Sequence, residues 1–217
     1  MDKHGDKEYV DSFIGFLGEI VPPRKFSDSM LSKTLVILVS GHIGAGKTTF
    51  AKMLVDLITA NGYKAVKMSF ADRIKHVAAN HFFWGGGKDE KGRKLLQDLG
   101  MAGRAYNPNL WVGETVARII SKDMPYDVVI IDDWRFPNEY EVIRTDELLN
   151  VITVKIVRDL SIKNDHEFEN ALDGFSKFDI MVYNSKGIYE LMDACETLVD
   201  KLDLVELKPL TNRETVV

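Results

Sequence analysis

The chain has 217 residues, of which 45% are hydrophobic and 28% are charged, and its formal net charge is -5 at pH 7. This length and apolar content are sufficient for one domain with a buried core. The acidic balance excludes broad, sequence-independent nucleic-acid binding, because such binding needs a basic face that displaces counterions. The chain has one cysteine, Cys195, so an internal disulfide is excluded and a reducing compartment is indicated.

The first 32 residues precede the first predicted strand. Their apolar side chains recur at the spacing of one helix face, and Pro22 and Pro23 would end that helix. These side chains are Phe13, Ile14, Leu17, Ile20 and Val21. We expect the helix to dock on its own domain; the alternatives are an oligomer contact, such as a homodimer, and a frayed leader.

No segment of the sequence has the pattern of a membrane span or an export signal. No run approaches the roughly 18 uninterrupted apolar residues that a span requires. The amino terminus reads MDKHGDKEYVD, with acids where a signal peptide is basic. We therefore predict a cytoplasmic protein with no membrane contact, in which Cys195 is a core thiol and residues 206–217 form a flexible tail.

The most informative stretch is LVILVSGHIGAGKTTF, at residues 35–50. A buried strand runs into Gly41, Gly46, Lys47 and Thr48 at the spacing G-x-x-x-x-G-K-[ST], and an apolar helix follows. That context is the one in which backbone N–H groups surround a polyphosphate, the lysine reaches its β- and γ-phosphates, and the hydroxyl holds Mg²⁺. We expect ATP to bind here, on Gly41, His42, Ile43, Gly44, Ala45, Gly46, Lys47, Thr48 and Thr49.

Strands and helices alternate along the rest of the chain. We predict further strands at 65–70, 126–131, 151–157 and 179–183, and helices at 47–60, 72–81, 93–99, 110–121, 139–149 and 188–202. Such alternation predicts a parallel sheet covered on both faces. The expected fold class is therefore α/β, a P-loop NTPase three-layer sandwich with a five-stranded parallel sheet, spanning residues 33–205.

The third predicted strand ends in Asp132 and Asp133. An acid at this place suits the water shell of Mg²⁺, so one of the two is the expected second metal contact beside Thr48; a strand-terminal turn is the alternative. Arg135 follows at the same edge and suits a bidentate grip on a phosphate or base edge. The alternative for Arg135 is a surface salt bridge with Glu139.

Asp72 and Arg73 follow the second predicted strand. We interpret Asp72 as a ligand of the acceptor, to a sugar hydroxyl or base, and Arg73 as a phosphate contact. The alternative for Asp72 is an N-cap of the following helix.

Several segments in order resemble the phage-type deoxynucleoside monophosphate kinases. RKLLQDLG, at 93–100, is similar to that family's R-x-L-x-Q-x-L-G helix, and Trp111 matches an aromatic residue after it. Residues 133–139 resemble its D-x-R-x-x-x-E segment. Residues 157–172 resemble the Val-Arg pair at the start of that family's lid and the lid motif H-x-x-E-x-x-L. Residues 179–187 resemble its last motif, D-x-x-x-x-N-x-x-G. The chain differs from the family pattern on the acceptor side, at Arg73, Met101, Ala102 and Phe168.

The resemblance implies a helical acceptor region, a small lid at about 158–178, and roles for single residues. Arg93, Gln97, Trp111, Asp133, Arg135, Glu139, His166 and Glu169 would bind the acceptor. Asn184 and Gly187 would lie near adenine. Lys47, Arg135 and Arg158 would be catalytic, by neutralising charge on the transferring phosphoryl group.

The expected activity is therefore ATP- and Mg²⁺-dependent phosphoryl transfer to a small molecule, a (deoxy)nucleoside monophosphate, giving the diphosphate. Dephospho-coenzyme A or phosphomevalonate is the alternative acceptor, because kinases for both share parts of the same pattern. An alternative of another class is a nucleotide-binding regulator or an ATPase.

Overall fold

A computed structural model describes residues 33–87, 89–121, 125–158, 171–172, 174–185 and 187–202. The predicted amino-terminal helix, the predicted tail and residues 159–170 lie outside these ranges. The expected roles of His166 and Glu169 therefore remain predictions.

A five-stranded sheet forms the centre of the domain. Its strands are β1 (Thr34–Ser40), β2 (Ala65–Met68), β3 (Val128–Ile131), β4 (Leu149–Val157) and β5 (Ile180–Tyr183). The strand order is β2-β3-β1-β4-β5, and every neighbouring pair is parallel. The strands that the sequence predicted are all present.

Helices connect the strands and form the two outer layers. They are α1 (Lys47–Ala60), α2 (Ala71–Phe82), α3 (Glu90–Tyr106), α4 (Leu110–Ile119), α5 (Pro137–Thr145) and α6 (Ile188–Lys201). The predicted fold class, an α/β three-layer sandwich around a five-stranded parallel sheet, is confirmed.

The central strand β1 separates two hydrophobic cores. Leu35, Ile37 and Val39 belong to the core under α1 and α6. Val36 and Leu38 belong to the core under α4 and α5. Successive side chains of a strand point to opposite faces, so an uninterrupted apolar run is what a strand covered on both sides requires.

Several element boundaries differ from the sequence prediction, and three of them have a clear local cause or consequence. Strand β2 ends at Met68 rather than residue 70, because the N–H groups of Phe70 and Ala71 turn toward the Asp133 carboxylate. Helix α3 begins earlier than predicted, because the Asp89 side chain caps it by accepting from the Gly92 N–H at 2.8 Å. Helix α5 ends at Thr145 rather than residue 149, and Leu149 opens β4 instead.

The predicted core thiol is confirmed. Cys195 is buried and its Sγ donates to the Phe50 carbonyl oxygen at 3.6 Å. Burial raises the pKa of this thiol to about 12, so it is inert as a nucleophile. Within the described ranges, none of the helices is long and apolar enough to cross a bilayer.

Candidate functional site

The carboxyl ends of all five strands lie along one edge of the sheet, since the strands are parallel. The phosphate loop, residues 41–48, follows β1 at this edge. Asp132 and Asp133 follow β3, which pairs with β1. The segments that the sequence singled out are therefore brought together by topology, at the place where α/β sheets bind ligands.

The phosphate loop has the backbone that its glycines allow. Gly44 and Gly46 have φ values of 77° and 105°, in the region that residues with a side chain rarely adopt. At Gly41, an added Cβ would collide with the Ile156 carbonyl oxygen of β4. The start of the loop is therefore packed directly against the backbone of the neighbouring strand.

Lys47 bends over the loop. Its Nζ donates to the carbonyl oxygens of Gly41 and, at 2.9 Å, of His42. These carbonyls hold the ammonium group above the loop, where a polyphosphate would meet it. Thr48, the next residue of α1, is exposed and can offer its hydroxyl to a metal.

Asn184 connects the far side of the sheet to the phosphate loop. It is 2% exposed, its Nδ2 donates to the Ala45 carbonyl at 2.8 Å, and its Oδ1 accepts from the Gly187 N–H at 3.0 Å. An added Cβ at Gly46 would lie 2.9 Å from that Nδ2. Asn184, which the sequence predicted to lie near adenine, thus holds the phosphate loop through its Nδ2 and contacts the residue before α6 through its Oδ1.

Asp132 faces the layer of α1. Its Oδ1 lies 3.1 Å from the Nζ of Lys67 on β2, and the acid is 7% exposed. Lys67 lies opposite Ile130, which is in the core under α1. Asp132 is therefore the acid on the same side as Lys47 and Thr48.

Asp133 faces the β2–α2 turn. Its carboxylate accepts from the Ser69 hydroxyl at 2.5 Å, the Phe70 N–H at 2.9 Å and the Ala71 N–H at 3.0 Å. Burial raises the pKa of the Asp133 carboxyl above its usual value, while these three hydrogen bonds oppose the rise. Its oxygens hold the start of α2, which leaves Asp132 better placed for a metal.

Glu139 fixes the turn that carries Arg135. Its Oε2 accepts from the backbone N–H groups of Arg135 and Phe136, both at 3.0 Å. The carboxylate is 4% exposed, and burial raises its pKa to about 7. These contacts differ from the surface salt bridge considered above, because they join the acid to the backbone.

Arg104 of α3 is a candidate site residue that sequence reasoning missed. Its guanidinium lies 4.6 Å from the centre of the Phe136 ring and interacts electrostatically with Glu139, Arg135 and Asp133. Burial lowers its pKa, and the charge of Arg135 adds to that effect. An added Cβ at Gly100 would lie 3.1 Å from the Arg104 Nη1. The lack of a side chain at Gly100 therefore leaves room for the guanidinium, and this glycine, four residues before Arg104, was the signal that the sequence offered.

Asp72 supports the start of α2. Its Oδ2 accepts from the Ser69 N–H at 3.0 Å, and its Oδ1 pairs with Lys75 at 2.9 Å. The N-cap of α2 is Phe70, so Asp72 is not the N-cap that the sequence offered as the alternative; it supports the helix start from the first turn. Arg73 pairs with Glu114 of α4 at 3.2 Å, on the exposed surface.

The remaining expected acceptor residues divide into exposed and buried ones. Arg93 and Gln97 are exposed on α3. Trp111 is 7% exposed and its Nε1 donates to the Gly100 carbonyl at 3.1 Å. Its ring lies against Gly103, where an added Cβ would be 2.6 Å from Cε2. The indole therefore packs α4 against α3, with its N–H engaged.

Arg158 follows β4 at the same edge. Its Nη1 lies 3.3 Å from the Gly44 carbonyl, and the side chain is exposed. The guanidinium therefore already lies beside the phosphate loop.

The residues at this edge fit a magnesium ion that is shared with a nucleotide. Among the described residues, no group of three or more His, Cys, Asp or Glu side chains is placed to hold a metal. Mg²⁺ usually keeps several waters and takes one or two carboxylates plus substrate phosphates. Thr48 and Asp132 supply ligands of that kind on the same side of the sheet.

No protein-family model and no curated protein matches the chain. Solved structures do match. The APS kinase of Mycobacterium tuberculosis in complex with AMPPNP and APS is 12% identical, with a TM-score of 0.44, over 79% of this chain and 98% of that one. An unliganded sugar kinase from a Janibacter species is 15% identical, with a TM-score of 0.43, over 79% of this chain and 95% of that one. These similarities concern the overall fold.

Proposed function

We propose that the protein transfers the γ-phosphoryl group of ATP to the phosphate of a (deoxy)nucleoside monophosphate. One observation carries the proposal. The edge of the sheet has a phosphate loop and Asp132 on the α1 side, and Arg104 and Arg135 beside Asp133 on the other. The first group suits a magnesium-bound triphosphate, and the two guanidinium groups suit a second anion.

On the donor side, the loop N–H groups and Lys47 would hold the triphosphate. Thr48 and Asp132 would hold Mg²⁺, which would neutralise negative charge on the phosphates. Arg158, beside Gly44, would add a guanidinium to the transferring group. A positioned arginine of this kind can contribute roughly 10³ to 10⁵ in rate.

On the acceptor side, Arg104 and Arg135 would bind the monophosphate. The positive charge of Arg135 helps to lower the pKa of Arg104, and a dianion bound by both side chains would relieve that repulsion. Glu139 and Phe136 support this pair, the first through the Arg135 backbone and the second through its ring under Arg104.

The reaction needs no general base with this acceptor. A phosphate monoester has a second pKa of about 6, so it is already mostly dianionic at pH 7. An acceptor oxygen forms a bond to the γ-phosphorus while the bond to the β–γ bridging oxygen breaks, and ADP leaves. Placement and charge neutralisation are then sufficient. This agrees with Asp72, the residue placed to act as a base, being engaged with Ser69 and Lys75.

A coupled ADP-release assay tests the proposal. The acceptor panel contains each ribo- and deoxyribonucleoside monophosphate, dephospho-coenzyme A and phosphomevalonate, with ATP and Mg²⁺ present. We expect acceptor-dependent ADP only with nucleoside monophosphates. Turnover with only one of the other two would overturn the acceptor assignment, and ADP release that needs no acceptor would indicate an ATPase.

A further inference from the structure

Lys67 lies near the carboxyl ends of the strands, at the same edge of the sheet as the phosphate loop, and was not assigned a role above. It is the third residue of β2, and its side chain is 31% exposed. Its Nζ donates to Asp132 Oδ1 at 3.1 Å. Since α1 packs over β2 and β3, the pair lies in the same layer as Lys47 and Thr48 at the start of α1.

The two neighbouring acids are held in different ways. Asp133 is fixed by three donors of the β2–α2 turn, two of which are backbone groups. Among the described residues, Asp132 instead accepts a hydrogen bond from the side chain of Lys67. A backbone N–H cannot leave its acceptor without unfolding the turn, whereas a lysine side chain can rotate away on its four-carbon stem.

We propose that Lys67 binds the Asp132 carboxylate while no nucleotide is bound, and that Lys67 releases this carboxylate to Mg²⁺ when the metal binds together with a triphosphate. This inference rests on the proposed function. A compact ammonium group and a hard divalent cation seek the same oxygens, so binding of one opposes binding of the other. Lys67 thus competes with the metal for the Asp132 carboxylate.

The exchange has two consequences. Binding of Mg²⁺ without nucleotide is disfavoured at this edge, because the metal must displace Lys67 and gains no phosphate oxygens as ligands. Mg²⁺ with nucleotide is favoured, because the phosphates add ligands for the metal and negative charge for the released ammonium. The competing description is a static ion pair that joins β2 to β3 whether or not the metal is present.

Three variants separate these descriptions. Lys67→Met removes the ammonium group, Lys67→Arg keeps the charge, and Lys52→Met removes the same charge from the exposed face of α1 as a matched control. Calorimetry with MgCl₂ alone measures metal affinity. Binding of a fluorescent ATP analogue across a range of MgCl₂ concentrations measures how much metal the nucleotide needs.

We expect Lys67→Met to bind Mg²⁺ alone roughly tenfold more tightly than the parent protein, and to need roughly tenfold less MgCl₂ for half-maximal nucleotide binding. Lys67→Arg and Lys52→Met should behave as the parent does. An unchanged magnesium requirement in Lys67→Met would overturn the inference. Failure of the parent protein to bind any nucleotide with Mg²⁺ would instead overturn the proposed function.

Removing Lys67 leaves a buried carboxylate alone, so Lys67→Met could fail to fold. Lys67→Gln keeps a hydrogen-bond donor without the charge and carries the same expectation. The double variant Lys67→Met/Asp132→Asn has neither charge and should lose the gain in Mg²⁺ affinity. If the double variant kept that gain, Asp132 would not be the carboxylate concerned.

Discussion

Asn184 and Ala45 lie 139 residues apart in the chain, and a 2.8 Å hydrogen bond joins the amide of the first to the carbonyl of the second. This bond connects the loop after β5 to the middle of the phosphate loop. We predict that Asn184→Ala destabilises the protein by about 1–3 kcal/mol, because it removes the partner of the buried Ala45 carbonyl and of the partly buried Gly187 N–H. Thermal unfolding measures the loss.

The same variant should weaken ATP binding by about tenfold, since a looser loop must be ordered on binding. The control is Ser185→Ala, which alters the exposed neighbouring residue. A normal ATP affinity in a destabilised Asn184→Ala protein would show that the brace serves folding alone.

Lys47→Met should reduce turnover by roughly 10²-fold or more, because it removes the ammonium group that we propose to bind the phosphates of ATP. The Lys47 ammonium group binds carbonyls of its own loop and is not part of either hydrophobic core, so we expect the unfolding temperature to change little. Steady-state kinetics and a melting curve check both parts. Lys52→Met, with the same change elsewhere on α1, should keep full activity.

Arg104→Lys and Arg135→Lys should each raise the acceptor KM by about tenfold, because a lysine cannot reproduce the planar, bidentate fork. The KM for ATP should stay near that of the parent protein, since neither residue lies on the donor side. Arg118→Lys is the control, as an exposed arginine in the last turn of α4. An unchanged acceptor KM would remove the altered arginine from the site.

Glu139→Gln should change how stability depends on pH. The folded-state pKa of Glu139 is about 7 and its ordinary value is 4.5, because burial disfavours the charged form. The folded protein therefore binds this proton more tightly than the unfolded chain does. Its contribution is fully present below about pH 4.5 and is lost as the pH rises through 7, on the order of 3 kcal/mol in all.

The measurement is the unfolding free energy of both proteins between pH 4.5 and 8. The decline over this window should be smaller in Glu139→Gln than in the parent protein. Parallel curves would show that Glu139 keeps an ordinary pKa. Glu141→Gln on the exposed side of α5 serves as the comparison.

Gly103→Ala should destabilise the protein by about 1–3 kcal/mol, although alanine favours a helix. The added methyl group would lie 2.6 Å from Cε2 and 2.8 Å from Nε1 of the Trp111 ring. Denaturant unfolding measures the cost. Because a phenyl ring is smaller than indole, Trp111→Phe should make Gly103→Ala less costly, and purely additive effects would contradict this packing account.

The sheet and the phosphate loop could both be predicted from the sequence, because local residue patterns specify them. An apolar run with a glycine, lysine and threonine spacing specifies strand, turn and helix start together. Alternation of strands and helices then specifies a parallel sheet. The acids and Arg135 could be placed at the edge because the carboxyl ends of parallel strands meet there.

Other parts of the site depend on which helix packs where, and periodicity does not specify this. Arg104 interacts electrostatically with Asp133 because α3 packs beside α2. The Lys67–Asp132 pair depends on β2 lying next to β3. The resemblance assigned Trp111 to the acceptor, whereas its packing on Gly103 depends on how α4 lies against α3. Asp72 had two interpretations from the sequence, because a side chain at the start of a helix can also bind a sugar.

At Gly41, the loop lies so close to the Ile156 carbonyl that no methyl group fits between them. The start of the proposed ATP site is therefore held by a main-chain contact, and Asn184 braces the middle of the loop through one side chain. The proposed acceptor site depends on side chains at both of its turns, Asp133 at the start of α2 and Glu139 at the start of α5. We therefore expect substitutions to alter the choice of acceptor more readily than the position of the phosphate loop.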